Sequence, residues 1–203
     1  MTTTSKGART KVRIAEAAAD LIWERGVAGV SLDDLRAATG TSKSQLYHYY
    51  ADKAALLREV VEVQSRRNLK AQGPTLERLD SWAALERWCD DIVARKADQD
   101  CRGNCPIGSL VTQLAESDPT ARAQLAAAFE RWEGYLAAGL ETMRNRGLLI
   151  PEANPIDLAM ATMASLQGGL LLAQAARSTR PLRVALDAAL RHLRTWAASP
   201  SGG

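Results

Sequence analysis

Aromatic side chains are scarce in this chain of 203 residues, which has one Phe, four Tyr and five Trp, so little in it favours a sheet. Cysteine is scarcer still. Cys89, Cys101 and Cys105 are an odd number in a chain long enough to bury a core without staples, which argues against a disulfide framework and for reduced thiols. No run approaches the roughly 18 uninterrupted apolar residues of a membrane span. Residues 1–13 are polar and basic, without the apolar stretch of a signal peptide. A cytoplasmic protein with no membrane partner is therefore expected. The two histidines, His48 and His192, lie far apart with no cysteine at ligand spacing, so neither metal nor other cofactor is expected.

What the chain does have is helix-forming material and an uneven charge. Ala, Leu and Arg are abundant, 46% of residues are hydrophobic and 24% charged. The formal net charge is +3. Residues 1–70 carry 12 basic and 8 acidic side chains, whereas the rest carry 14 and 15, so the whole excess sits in the first third. A polyanion partner at that end follows naturally.

Helical periodicity starts early. From Thr10 to Arg25, Ile14, Ala18, Leu21 and Ile22 recur at steps of three and four, and Gly26 ends the run. Ser31 then stands as an N-cap with Asp34 three residues on, opening a short helix whose inward face is Leu32, Leu35 and Ala38, and Gly40 closes it. After a turn of a few residues a third helix is expected over 43–49. Asp52 caps a fourth, which runs from Lys53 until Gln72, Gly73 and Pro74 interrupt it. Two short helices across so tight a turn have the spacing of a helix-turn-helix.

The chemistry of the third helix suits a groove reader. Thr41, Ser42, Lys43, Ser44 and Gln45 form a polar N-terminal end, where hydroxyl, ammonium and amide groups can meet base edges and phosphates. Gln45 suits adenine, and Lys43 suits guanine or phosphate. Tyr47, His48 and Tyr49 add hydrogen-bonding groups at the exit, and Lys53, at the next helix start, reads as a phosphate clamp. The basic arm of Lys6, Arg9, Lys11 and Arg13 is placed to reach adjacent backbone or minor groove. The expected partner is a double-stranded DNA operator.

Over about residues 10–60 this segment resembles the TetR family of repressors, through Leu46, Tyr47, Tyr50, Lys53 and Leu56 in the pattern Leu-Tyr-x-x-(aromatic)-x-x-Lys-x-x-Leu. Tyr50 stands where Phe is usual. The resemblance implies an all-helical homodimer whose C-terminal half binds a small molecule and whose last two long helices pair across a two-fold axis. Farther on, Cys105-Pro106-Ile107-Gly108-Ser109-Leu110, Phe129, Trp132, Gly147 and Leu166-Gln167-Gly168-Gly169 resemble the branch containing the LmrA and YxaF repressors. That second resemblance implies repression of a neighbouring efflux or detoxification gene, relieved by an aromatic or otherwise hydrophobic inducer.

Beyond Pro74 the helical period continues over 76–97, 107–115, 119–146, 155–177 and 181–198. Asp118-Pro119 and Asn154-Pro155 mark two of the starts, and no strand pattern intervenes. The fold class is thus all-α: a DNA-binding domain over 1–60, a helical ligand-binding and dimerisation domain over 61–198, and a disordered tail over 199–203. Trp88, Cys89, Trp132, Tyr135, Met163 and Gln167 are candidate walls of an inducer cavity, against the plainer reading that most are core. Gly168 and Gly169 read as points of close helix approach, with a dimer seam favoured.

Two alternatives compete with an inducible repressor. Cys101 and Cys105, in a loop beside Arg102, suggest a redox or electrophile sensor on the same architecture, since a neighbouring positive charge favours the thiolate. A helical enzyme or carrier ranks last, because no acid/base pair, activated nucleophile, phosphate-cradling loop or metal set is visible.

Overall fold

The computed structural model describes residues 6–199, with Lys6 described in its backbone alone. Residues 1–5, the Lys6 side chain of the basic arm and the expected tail from residue 200 onward lie outside the described residues. Among the described residues the chain forms nine helices: α1 (Lys6–Arg25), α2 (Leu32–Thr39), α3 (Lys43–Tyr49), α4 (Lys53–Leu76), α5 (Trp82–Asp98), α6 (Pro106–Leu114), α7 (Pro119–Asn145), α8 (Pro155–Ala176) and α9 (Arg180–Arg194). The extended backbone pairing among them is a single isolated bridge, between Leu149 and Ala197. The all-α class expected from the sequence is the class observed.

The chain packs as two compact units. One comprises Met1–Asn68 and Pro106–Ala128, the other Leu69–Cys105 and Phe129–Gly203, so α4 and α7 each contribute to both. In the first unit Ile14, Ala15, Ala18, Ala19 and Ile22 of α1 are buried, with Leu35 of α2, Leu46 of α3 and Leu56, Leu57, Val60 and Val61 of α4. The α1 stripe recurs at three- and four-residue steps because that period returns side chains to one helix face. Polar ties hold the rim: Gln64 Nε2 donates to the Ala19 carbonyl at 3.0 Å, and Arg67 pairs with Asp20 at 2.5 Å. The Val27 amide donates to Gln113 Oε1 of α6 at 2.6 Å.

Helix boundaries follow local chemistry. Ser31 and Asp34 form a full capping box, as do Ser42 and Gln45. Gly40 leaves α2 in the left-handed region (φ 62°), which a side chain would resist, and so permits the sharp entry to α3. Gly73 interrupts α4 (φ 52°, ψ −145°) directly before Pro74. The fifth helix starts later than its apolar period suggested, at Trp82 rather than near Leu76, because α4 resumes beyond the break and Ser81 then caps α5 by accepting from the Ala84 amide. The last helix is shorter than 181–198. Beyond Arg194 the chain turns, and the Ile150 amide donates to the Trp196 carbonyl at 2.9 Å.

In the second unit α8 and α9 lie against each other along their lengths. Gly169 makes this possible, since a Cβ there would sit 3.0 Å from the Leu182 Cα and 3.1 Å from the Ala185 Cβ, while Gly168 faces open space. Within the chain the close approach read from the glycine pair falls at Gly169. By length and composition α8 is apolar enough to cross a membrane, with a mean hydropathy of 1.4 over 18 residues. Its packing on α9 accounts for one side of it. The other side carries the exposed Ile156, Met160, Leu171 and Leu172.

Candidate nucleic-acid interface

Helix α3 is short, and one residue anchors it. Leu46 is 2% exposed, whereas Ser42, Lys43, Ser44, Gln45, Tyr47 and His48 face solvent and Tyr49 is half-buried. One apolar anchor beneath an outward polar surface is what a recognition helix needs, because every group turned outward is available to base edges. The rings of His48 and Tyr49 meet edge to face at 5.0 Å. Two of the outward groups also carry structure: Ser42 Oγ accepts from the Gln45 amide at 3.1 Å, and Gln45 Oε1 accepts from the Ser42 amide at 3.0 Å.

Thr41, read as part of the polar tip, is 6% exposed and is corrected to a structural role. Its hydroxyl lies 2.7 Å from that of Thr39, which donates in turn to the Leu35 carbonyl at 2.7 Å. A buried hydroxyl pays its desolvation only when so satisfied. Lys53 is also turned inward: its ammonium donates to the carbonyls of Val27 and Val30, at 2.9 and 2.6 Å, pinning the α1–α2 connection and leaving one N–H for any phosphate. Its neighbour Asp52 caps α4, accepting from the Ala55 amide at 2.6 Å.

The basic arm divides likewise. Arg9 is exposed. Arg13, by contrast, donates to the Thr39 carbonyl at 2.5 Å, and Lys11 pairs with Glu59 at 3.6 Å and sits 5.5 Å above the Tyr50 ring. The Tyr50 hydroxyl donates to the Lys11 carbonyl at 2.9 Å, a bond that Phe at this position lacks. Burial, reinforced by Glu59, raises its ionisation well above the usual phenol range.

The proposed cavity residues do not form one group. Trp88 and Trp132 do meet, through a residue the sequence reading missed: Gln72 Oε1 accepts both indole N–H groups, at 2.9 and 3.2 Å, and Phe129 stacks on Trp132 with ring centres 6.4 Å apart. Gln72 stands immediately before the α4 break and is 6% exposed. Cys89 is buried, its thiol pKa pushed up to about 12 by burial, with Arg183, Asp90, Asp187 and Glu86 acting on it. Met163 and Gln167 pair with each other on α8, the carboxamide 3.6 Å from the sulfur. Tyr135, 38% exposed, opens on a cleft of about 350 Å³ walled by Leu69, Gly73, Pro74 and Leu76.

Cys101 and Cys105 are both buried thiols, 5% and 3% exposed. Arg102 contributes its carbonyl, which accepts from the Lys96 ammonium at 3.0 Å. Among the described residues no three His, Cys, Asp or Glu side chains gather as metal ligands.

A helix-turn-helix with an outward polar face on its second helix, joined to a helical body, defines a DNA-binding transcriptional regulator. Residues 14–60 match the family model of bacterial regulatory proteins of the TetR family, and residues 81–188 match that of the LmrA/YxaF-like transcriptional regulator C-terminal domain. An HTH-type transcriptional regulator in the lacX 3' region of Lactococcus lactis is 30% identical over 88% of this chain and 90% of its own. The HTH-type transcriptional repressor DhaR of Mycobacterium sp. is 28% identical over 86% and 88%. A TetR-family regulator from Cytophaga hutchinsonii shares the fold, with a TM-score of 0.82 at 17% identity over 97% of this chain and 99% of that one. The chain belongs to the TetR family, in its LmrA/YxaF-like branch. It is a transcriptional regulator and not an enzyme; proteins of this family bind DNA and act as dimers with small-molecule ligands.

Proposed function

We propose that this protein is a homodimeric, cytoplasmic repressor that binds a palindromic operator through residues 1–60 and releases it when residues 61–198 bind a small hydrophobic or aromatic inducer. The observation that carries the DNA half is the outward set Lys43, Ser44, Gln45, Tyr47 and His48 over the Leu46 anchor. In a two-fold dimer such helices enter successive major grooves about 34–36 Å apart. Lys43 and the N-terminus of α3 serve phosphates or guanine, Gln45 reads adenine, and Tyr47 and His48 contact the backbone at the exit. Arg9 adds a phosphate contact beside them.

The ligand half rests on Gln72, Trp88 and Trp132. Two indoles sharing one carboxamide are aromatic walls with a single polar handle, the composition of a small-molecule site. An aromatic guest that takes the Gln72 oxygen from one indole acts at the α4 break, where the helix that began at Lys53 changes direction. Fluorescence anisotropy of the purified protein on labelled DNA from upstream of its own gene tests the first half. Salt-sensitive, sequence-selective binding is expected, lost in a Gln45→Ala, Tyr47→Ala variant; equal affinity for unrelated DNA would sink the reading.

A further inference from the structure

Two clefts open in the second unit at the α4 break. The larger, of about 350 Å³, is walled by Leu69, Lys70, Pro74, Leu76, Glu77 and Tyr135. The smaller, of about 200 Å³, is walled by Pro74, Thr75, Arg78, Ala84 and Arg87. They share Pro74 as a wall and so lie next to each other. Their characters differ. The larger offers an aromatic ring and aliphatic side chains, and the charges of its Lys70 and Glu77 offset each other. The smaller has two guanidinium groups and no carboxylate in its wall.

Those two arginines are unpaired although acids stand close to them in sequence. Asp80 pairs with Arg146 at 2.8 Å, Glu86 with Arg194, and Asp90 with Arg183 at 2.7 Å. Asp91, one turn beyond Arg87, accepts from the Thr75 hydroxyl at 3.3 Å. Every carboxylate within a turn of Arg87 on α5 is thus engaged by another group. Among the described residues neither Arg78 nor Arg87 has an ion-pair partner. Residues 71–203 carry 14 basic and 15 acidic side chains, so this cleft is a local excess in a part of the chain that has none overall. A concave wall of one sign concentrates ions of the other, and the planar guanidinium fork matches the two oxygens of a carboxylate.

We propose that the adjoining clefts bind an aromatic carboxylic acid, its carboxylate held by Arg78 and Arg87 and its ring lying across Pro74 against Leu69, Leu76 and Tyr135. A bare inorganic anion leaves the apolar walls wet, and a neutral aromatic compound leaves both arginines unanswered, so the class that uses both clefts carries a ring and one negative charge. None of these residues belongs to the Gln72, Trp88 and Trp132 group. The occupant touches α4 on both limbs of its break, at Leu69 before Gly73 and at Leu76 and Arg78 after it. Binding therefore acts on the bend of a helix that follows α3 directly in the chain. As a regulatory device this rests on the repressor reading above, whereas the binding stands without it.

Isothermal titration calorimetry of the full-length protein with phenylacetate, phenylpropanoate and phenylbutyrate tests the site, with the neutral amide of each acid and inorganic phosphate as comparisons. At least one acid is expected to bind with a Kd of about 1 mM or tighter. Its amide and phosphate should each bind about tenfold or more weakly, because the charge-assisted bonds and the apolar burial each contribute on that scale. Replacing both arginines, Arg78→Gln with Arg87→Gln, should weaken the acid by about tenfold or more. Both side chains are exposed and unpaired, so the doubly substituted protein keeps its fold, and an unchanged thermal melt verifies it. Binding of none of the acids, equal binding of the amide or of phosphate, or full affinity in the doubly substituted protein overturns the proposal. Anisotropy on operator DNA reads regulation separately: the acid should lower operator affinity of the unsubstituted protein and leave that of the doubly substituted one unchanged. Binding of the acid without that change overturns the regulatory role and supports the site. Absence of sequence-selective DNA binding overturns the repressor reading, while the calorimetry still decides the site.

Discussion

The indole nitrogen of Trp132 lies 3.2 Å from the carboxamide oxygen of Gln72, which also accepts from Trp88. One buried acceptor thus satisfies two buried donors contributed by α5 and α7. In Gln72→Leu both indole N–H groups lose that acceptor, and each orphaned donor costs about 1–3 kcal/mol. A loss of about 2 kcal/mol or more is expected in urea unfolding monitored by tryptophan fluorescence. A change below about 0.5 kcal/mol would mean that other acceptors replace the carboxamide.

At the DNA-facing helix, stability and recognition are separable by substitution. Ser42→Ala removes an N-cap and should lower stability by about 1 kcal/mol. Lys43→Ala should weaken binding to all sequences and reduce the slope of log K against log salt by about 1 if the ammonium meets phosphate. Gln45→Ala should instead leave the slope unchanged and relax preference at one base position, because an uncharged side chain releases no counterion. Identical slopes for Lys43→Ala and the unsubstituted protein would reassign Lys43 to base contact.

How much of this was legible in the sequence depended on range. The box at Ser31 and the Asn154-Pro155 start involve partners two or three residues away, so the residue types alone announce them, whereas the equally local box of Ser42 with Gln45 was passed over because both residues read as groove contacts. Lys53 looked like a free cation because the carbonyls that engage it belong to Val27 and Val30, acceptors with no side-chain signature. Thr41 was misread similarly, since only the packing of α2 turns its hydroxyl toward Thr39. Gln72 sat beside Gly73 and Pro74 and read as interruption, though its donors are 16 and 60 residues distant. Lys96, in the last turn of α5, had the pattern of an ordinary solvated C-terminal lysine.

Tyr50 gives a pH prediction with a definite sign. Its folded-state pKa is raised above the ordinary value of 10.0 by burial and by Glu59. A raised pKa contributes stability that is fully present below the unfolded value and fades as pH climbs through it toward the folded value. Stability should therefore fall with pH from about 10 upward, and Tyr50→Phe should fall less steeply there. At neutral pH the same variant loses the bond to the Lys11 carbonyl and should be about 1 kcal/mol less stable. Parallel curves for the two proteins in alkali, measured by thermal melting, would assign the alkaline loss to other groups.

The unpaired side of α8 and α9 sets the last expectation. Ile156, Met160, Leu171, Leu172 and Val184 are each more than half exposed, at 54–65%, on two helices already packed together. Complete burial of a large apolar side chain supplies about 1.5–3 kcal/mol, and each of these, partly buried already, forgoes about half of that. A second copy of the chain, presenting the same residues across a two-fold axis, would bury them reciprocally. Leu171→Glu would place a carboxylate at that seam and, by symmetry, a second one from the partner. Sedimentation velocity should show the unsubstituted protein as a dimer and the variant shifted toward monomer. Operator affinity should fall with dimerisation, while far-ultraviolet circular dichroism stays unchanged, because the substituted position is 56% exposed within the subunit. A variant that remains fully dimeric would place the seam elsewhere.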